Sequence, residues 1–145
     1  MRASYGSNVF LKFLGGESEA EALLDLVFEG KVEGAVSGVV LSEVLFGYLR
    51  LTTNMRPYDL KRKLPKMNVD LTPIRELLEP FQILEVAPNP NELFDLVNKS
   101  GLLPNDALIA LTCLKEGIPL VSFDSDFDRV SELRRITAPD KLLTK

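Results

Sequence analysis

A chain of 145 residues, 46% hydrophobic and 26% charged, has the size and balance of one globular domain, where about 100–200 residues is the norm. A single domain over residues 1–145 is the expected organisation. The chain has no histidine and one cysteine, Cys113. That excludes an internal disulfide, imidazole-built zinc sites, Ser-His-Asp triads and Cys-His pairs, so any catalysis must run on carboxylates, hydroxyls, lysine, arginine or a bound metal. The net charge of −4 is unevenly placed: Arg50, Arg56, Lys61, Arg62, Lys63 and Lys66 share the segment 50–66 with a single acid, Asp59. An acidic body with one basic arm fits a polyanion gripped at one place.

A short strand is expected over Arg2–Tyr5, then a short apolar helix over Asn8–Leu14 that ends at Gly15-Gly16, with Phe10, Leu11, Phe13 and Leu14 in the core. Ala20, Leu23, Leu24, Val27 and Phe28 fall at helical spacing within Glu17–Glu29, which stops at Gly30. Val32–Ser37 reads as a strand and Val39–Leu51 as a mostly apolar helix. Pro57–Leu64 is a basic amphipathic helix with proline at its start, and Thr72-Pro73 opens another through Leu78. Phe81–Val86 is a strand, and Pro88-Asn89-Pro90 a turn. Helices follow over Asn91–Lys99 and Asn105–Glu116, the second ended by Gly117. Leu120–Phe123 is an apolar strand, and Arg135–Thr137 a short edge strand. Cys113 is a small core residue, and Asp140–Lys145 carries no functional signal. No run of about 18 apolar residues occurs and Met1–Gly6 has no apolar leader stretch, so the expected location is cytoplasmic, with no membrane partner.

Strands alternating with helices predict a three-layer α/β/α sandwich around a central, mostly parallel sheet of about five strands. In such sheets ligands bind beyond the carboxyl ends of the strands. Three carboxylates fall where that edge is expected, and each interrupts or borders an apolar run: Glu43 within Val39–Phe46, Asp106 before Ala107–Leu111, and Asp124 after Pro119–Phe123. An unpaired buried carboxylate costs several kcal/mol, roughly. With few cations nearby in sequence, a shared divalent metal ion is a serious candidate partner. Blander readings stand beside this one. Glu43 has Val39, Val40, Phe46 and Gly47 as helical neighbours, against a surface role; Asp106 fits a first-turn acid, Asp124 a turn cap, and Asn8 a helix start.

The segments Ser7-Asn8-Val9-Phe10-Leu11, Ser42-Glu43-Val44, Pro104-Asn105-Asp106-Ala107-Leu108-Ile109-Ala110 and Leu120-Val121-Ser122-Phe123-Asp124-Ser125-Asp126-Phe127 occur in this order and spacing over nearly the whole chain. In them the chain resembles the PIN-domain nucleases, and among these the single-domain VapC-type toxins. The resemblance implies an endoribonuclease dependent on Mg²⁺ or Mn²⁺, with Glu43, Asp106 and Asp124 as catalytic and metal-ligating residues and Asp126 as a further ligand. Ser7, Asn8, Asn105 and Ser122 would orient waters or ligands around them. It also implies an RNA substrate, an antitoxin partner and a homodimer. One position departs from the pattern: the family's aspartate directly after the first strand is Gly6 here, which predicts weaker metal binding and lower activity.

In the basic segment, Arg50, Arg56, Lys61, Arg62 and Lys63 would meet phosphates while Tyr58 stacks on a base, as in single-strand binders. The alternative there is a solvated arm that contacts the protein itself or a second subunit. For the whole chain the alternatives are a catalytically degenerate PIN-fold protein that binds RNA or a protein partner without cleavage, and a structural or dimerisation domain.

Overall fold

The computed structural model describes residues 1–143. Five parallel strands, β1 (Arg2–Tyr5), β2 (Glu33–Ser37), β3 (Gln82–Leu84), β4 (Leu120–Val121) and β5 (Arg135–Ile136), form one sheet in the order β3-β2-β1-β4-β5. Helices flank it in a three-layer α/β/α arrangement: α1 (Ser7–Leu14), α2 (Ser18–Phe28), α3 (Gly38–Thr53), α4 (Pro57–Lys63), α5 (Thr72–Leu78), α6 (Pro90–Ser100), α7 (Pro104–Glu116) and α8 (Pro139–Leu143). Short 3₁₀ turns cover Leu64–Lys66 and Ser125–Arg129. No helix among the described residues is long and apolar enough to cross a membrane.

The chain builds outward from β1 to β2 and β3, then returns to the other side of β1 for β4 and β5. The direction of winding therefore reverses between β1 and β4, where Ser4 pairs with Leu120 and Tyr5 with Val121. Beyond the carboxyl ends of two such strands the outgoing loops part in opposite directions and leave a crevice. Gly6-Ser7-Asn8 and Ser122-Phe123-Asp124 both leave the sheet there.

The core is apolar strand residues against helix faces. Ala3, Tyr5, Val36, Leu120 and Val121 are fully buried. Tyr5, Phe10 and Phe81 make edge-on ring contacts, with Phe81 centroids 5.3 Å from Tyr5 and 5.0 Å from Phe10. The Tyr5 hydroxyl donates to the Leu23 carbonyl at 2.8 Å. Gly34 sits where the sheet meets this cluster: a Cβ there would lie 2.6 Å from the Phe81 ring and 2.8 Å from Val27 Cγ2. Gly34→Ala is therefore expected to destabilise the fold by about 1–3 kcal/mol through overpacking, read as a lower urea midpoint at unchanged slope. An unchanged midpoint would mean that the ring moves aside freely.

Several expected boundaries shift. β4 ends at Val121 rather than Phe123 because Ser122–Asp124 turns away into side-chain hydrogen bonds. β3 is shorter than Phe81–Val86, since Phe81 turns inward to the aromatic cluster. Pro90 opens α6 rather than closing a turn, with Asn89 capping it through Asn91 N–H at 2.9 Å. Of the four α1 residues expected in the core, Phe10 is fully buried while Leu11, Phe13 and Leu14 are partly exposed. α3 leaves Leu45 and Phe46 exposed despite its apolar run. The expected tail contains the end of α8, which buries Leu142; Thr144 and Lys145 lie outside the described residues.

Candidate active site

Three elements bring carboxylates to the crevice, each for a local reason. The Ser37 hydroxyl accepts the Val40 N–H at 3.2 Å, which starts α3 at the end of β2 and puts Glu43 in its second turn. Pro104 occupies the first position of α7, where its missing N–H costs nothing, so Asn105 and Asp106 project from the first turn. Leu103 precedes the helix without a side-chain cap, so Asp106 is not spent on capping. Asp124 and Asp126 follow β4.

Glu43 is half-buried. Burial pushes its carboxyl up from the ordinary range and the negative charge of Asp106 adds to this, while Ser7 and Asn105, donating toward it, oppose the shift. Its Oε1 is nevertheless buried without a hydrogen-bond partner among the described residues. Asp106 is also raised, first by burial and then by the charges of Asp124 and Asp126. Asp106 thus lies within electrostatic reach of Glu43 on one side and of Asp124 and Asp126 on the other, and raised carboxyls beside further acids in a crevice make a candidate functional site.

The remaining polar residues fix this arrangement. The Asn8 amide donates from Nδ2 to Ser122 Oγ at 3.1 Å and accepts the Phe123 N–H at Oδ1, 3.2 Å. Ser122 Oγ also accepts the Asp124 N–H at 3.1 Å, and the Gly6 N–H donates to the Val121 carbonyl at 2.8 Å. Asn8 is therefore more than a helix start: it ties the loop after β1 to the loop after β4. For Asp124 the blander reading is also realised, because its Oδ1 accepts the Asp126 N–H at 2.9 Å and caps the short turn.

Gly6 has extended backbone, φ −80° and ψ 160°, open to any residue. A Cβ built there would lie 3.4 Å from Ser122 Cβ, Ser122 Oγ and the Val121 carbonyl, at the near end of ordinary contact. The fold admits a side chain at the departing position.

The donor set fits a hard divalent cation. All donors are oxygens, one of them is buried and unpartnered, and Mg²⁺ or Mn²⁺ is held by few carboxylates while keeping several waters. Among the described residues, however, no three His, Cys, Asp or Glu side chains are gathered closely enough to hold an ion between them.

The basic residues lie along the same helix and beyond it. Arg50 is seven residues past Glu43 on α3, two turns and about 10 Å along the axis. With Arg56 it lines a groove of about 630 Å³ formed also by Leu11, Gly47, Leu51, Asn54 and Met55. Lys61, Arg62 and Lys63 are exposed on α4, and Tyr58 is 69% exposed with the Arg62 guanidinium 5.7 Å from its ring centroid. The ion pairs among the described residues, such as Arg2–Glu116 at 2.7 Å, all use cations outside this arm.

Two site-bordering residues were not anticipated. Arg135 on β5 and Asp128 in the 3₁₀ turn are joined by two hydrogen bonds of 2.9 Å. Only the alternation of Asp124, Asp126 and Asp128 hinted at a role for the last.

The PIN domain family matches residues 7–133. Ribonuclease VapC2 of Methanocaldococcus jannaschii is 40% identical over 136 residues, covering 91% of each chain. Among solved structures, a chain of VapBC2 from Rickettsia felis, bound to a DNA fragment from its promoter, superposes with a TM-score of 0.66 at 20% identity, covering 94% of this chain and 98% of that one. A chain of a toxin-antitoxin complex from Klebsiella pneumoniae gives 0.64 at 18% identity, covering 93% and 96%. These two share the fold. The family match and the close relative, set on a crevice built from the residues that carry the motifs, show that the chain belongs to the PIN-domain family, in its VapC-type branch.

Proposed function

We propose that this chain is a Mg²⁺- or Mn²⁺-dependent endoribonuclease of the toxin type, acting in the cytoplasm and weakened by Gly6. The observation that supports this reading is the neighbouring charge of Glu43 with Asp106, and of Asp106 with Asp124 and Asp126, carried by α3, α7 and the loop after β4 at the switch point of the sheet. The relative at 40% identity is named a ribonuclease. Structures with the same fold include toxin-antitoxin complexes, which supports an antitoxin protein as the regulating partner. A second copy of the chain is the other proposed partner, and the exposed Phe94 and Leu103 are available for protein contact.

In this mechanism Ser7 and Asn105 donate toward Glu43 and offset part of the burial that favours its protonated form. Asn8 and Ser122 keep Asp124 facing Asp106. Arg50, Arg56, Lys61, Arg62 and Lys63 take the phosphates flanking the cut, and Tyr58 stacks a base. A bound divalent cation would supply positive charge to the scissile phosphate and favour deprotonation of the attacking water. The test is cleavage of a fluorescent single-stranded RNA with Mg²⁺ or Mn²⁺. Cutting that EDTA stops and Glu43→Ala abolishes is the expected result; metal-independent cutting, or cutting retained by Glu43→Ala, would overturn it.

The loss of the carboxylate at position 6 favours one second reading, a PIN-fold protein that binds RNA or a protein without cleaving. RNA retention by a chain inactive with either metal would select it.

The arm has its own test. Neutralising Lys61, Arg62 and Lys63 together is expected to flatten the plot of log affinity for single-stranded RNA against log salt by about 2 units, at about 0.7 for each phosphate no longer neutralised. An unchanged slope would remove α4 from the interface.

A further inference from the structure

Resting on that reading, we infer that Arg135 is a positioning residue of the site: its guanidinium clips the loop carrying Asp124 and Asp126 at both ends, and in doing so withdraws Asp128 from ion binding. At the start of the loop, Arg135 Nη1 donates to the Ser122 carbonyl at 3.1 Å. At the far end, Nε and Nη2 donate to the two carboxylate oxygens of Asp128, each at 2.9 Å. Between these anchors lie both expected ligands of this segment. The Arg135 side chain is only 17% exposed, against 58% for Asp128, so the cation is held by the protein and the acid is drawn to it.

The chemistry requires arginine. Two parallel N–H donors match a carboxylate, and another N–H on the same planar group reaches the carbonyl; a lysine ammonium is a single point that cannot fork. Position explains why the clip works. β5 pairs with β4 in the register Leu120–Arg135 and Val121–Ile136, so Arg135 is fixed by the sheet beside the strand from which the loop departs. The rigid sheet thereby sets the loop geometry. Asp124, Asp126 and Asp128 look equivalent in sequence, yet both oxygens of Asp128 accept from Arg135. Asp124 also raises the proton affinity of Arg135, after Asp128, so the guanidinium offsets part of the repulsion among the site acids.

Mn²⁺ affinity measured without RNA, by the electron paramagnetic resonance of free ion, tests the inference on the parent chain, on Gly6→Asp and on clip variants in both backgrounds. Arg135→Lys, Arg135→Ala and Asp128→Asn are each expected to weaken Mn²⁺ binding about tenfold or more. Failure of Arg135→Lys to rescue separates the fork from charge alone. The double variant Arg135→Ala with Asp128→Asn should be no worse than the worse single one, because the two act as one unit. Amide hydrogen exchange over residues 123–127 should rise in each variant while β1 and β2 stay protected; Asp128→Asn, at an exposed position, guards against a general loss of fold. Unchanged Mn²⁺ affinity in Asp128→Asn and Arg135→Lys would overturn the inference. So would weakening with additive effects and an unchanged loop. Absence of Mn²⁺ binding by both the parent and Gly6→Asp would overturn the metal-site reading itself, and this inference with it.

Discussion

Glu43→Gln and Asp106→Asn are each expected to lower RNA cleavage by about 10²–10³-fold, the usual loss when a group acting on developing charge is removed, and together to make the protein more stable. The second effect follows from the shifts described above. Both carboxyls bind protons more readily in the folded chain, because burial and neighbouring acids penalise the charge. A group of this kind adds stability below its unfolded pKa and loses that contribution as pH rises through its folded value. At neutral pH both charges therefore weigh against the fold. Without metal, the double variant should melt about 2–4 °C above the parent at pH 7, with the gap closing as pH falls through the raised carboxyl range. Thermal scans in EDTA over a pH series measure this. A variant less stable than the parent at neutral pH would mean that the hydrogen bonds from Ser7 and Asn105 outweigh the repulsion.

Gly6→Asp is expected to act in the opposite direction on both counts. The backbone at position 6 is ordinary and a Cβ fits, so the aspartate can be built without moving the sheet. It adds a negative oxygen ligand at the crevice, and hard cations respond strongly to ligand charge. Mn²⁺ affinity should tighten at least about tenfold, and cleavage should rise by about 10²-fold at limiting metal. Without metal the added charge should lower the melting temperature; excess Mn²⁺ should restore it, because a ligand bound only by the folded state stabilises by mass action. Calorimetric titration and melting with and without Mn²⁺ provide both readings. Equal metal affinity in the two forms would show that Gly6 is no defect.

The positions of these acids were legible in the chain because they break or border apolar runs. Asp106 sits between Pro104, which starts a helix, and an apolar stretch that Gly117 ends in the left-handed conformation, φ 67°; the helix and the position of its acid follow together. Glu43 could be read as partly buried from its neighbours at helical spacing. The same apolar run hid the exposure of Leu45 and Phe46, since a helix apolar on most sides has no period from which to choose its buried face. The 3₁₀ turn and α8 were missed because each spans five residues, too few for a periodic signal. Asp128 and Asp126 could not be distinguished at all. Asp126 meets Arg129 from its own turn at 3.4 Å, whereas Asp128 is held by Arg135, which approaches through the pairing of β4 with β5, a contact that local sequence does not encode.

The hydrogen bonds of Asn8 to Ser122 and Phe123 also have a consequence in time. They join residues 114 and 115 positions apart, and the central strand β1 meets its second neighbour only when β4 has been made. During synthesis the first half of the chain can assemble β1 and β2, yet Asp124, Asp126 and the Arg135 clip have not left the ribosome. An unfinished chain that lacks β4 and β5 therefore also lacks the acids after β4, so under the proposed reading the site is complete only once those two strands have joined the sheet.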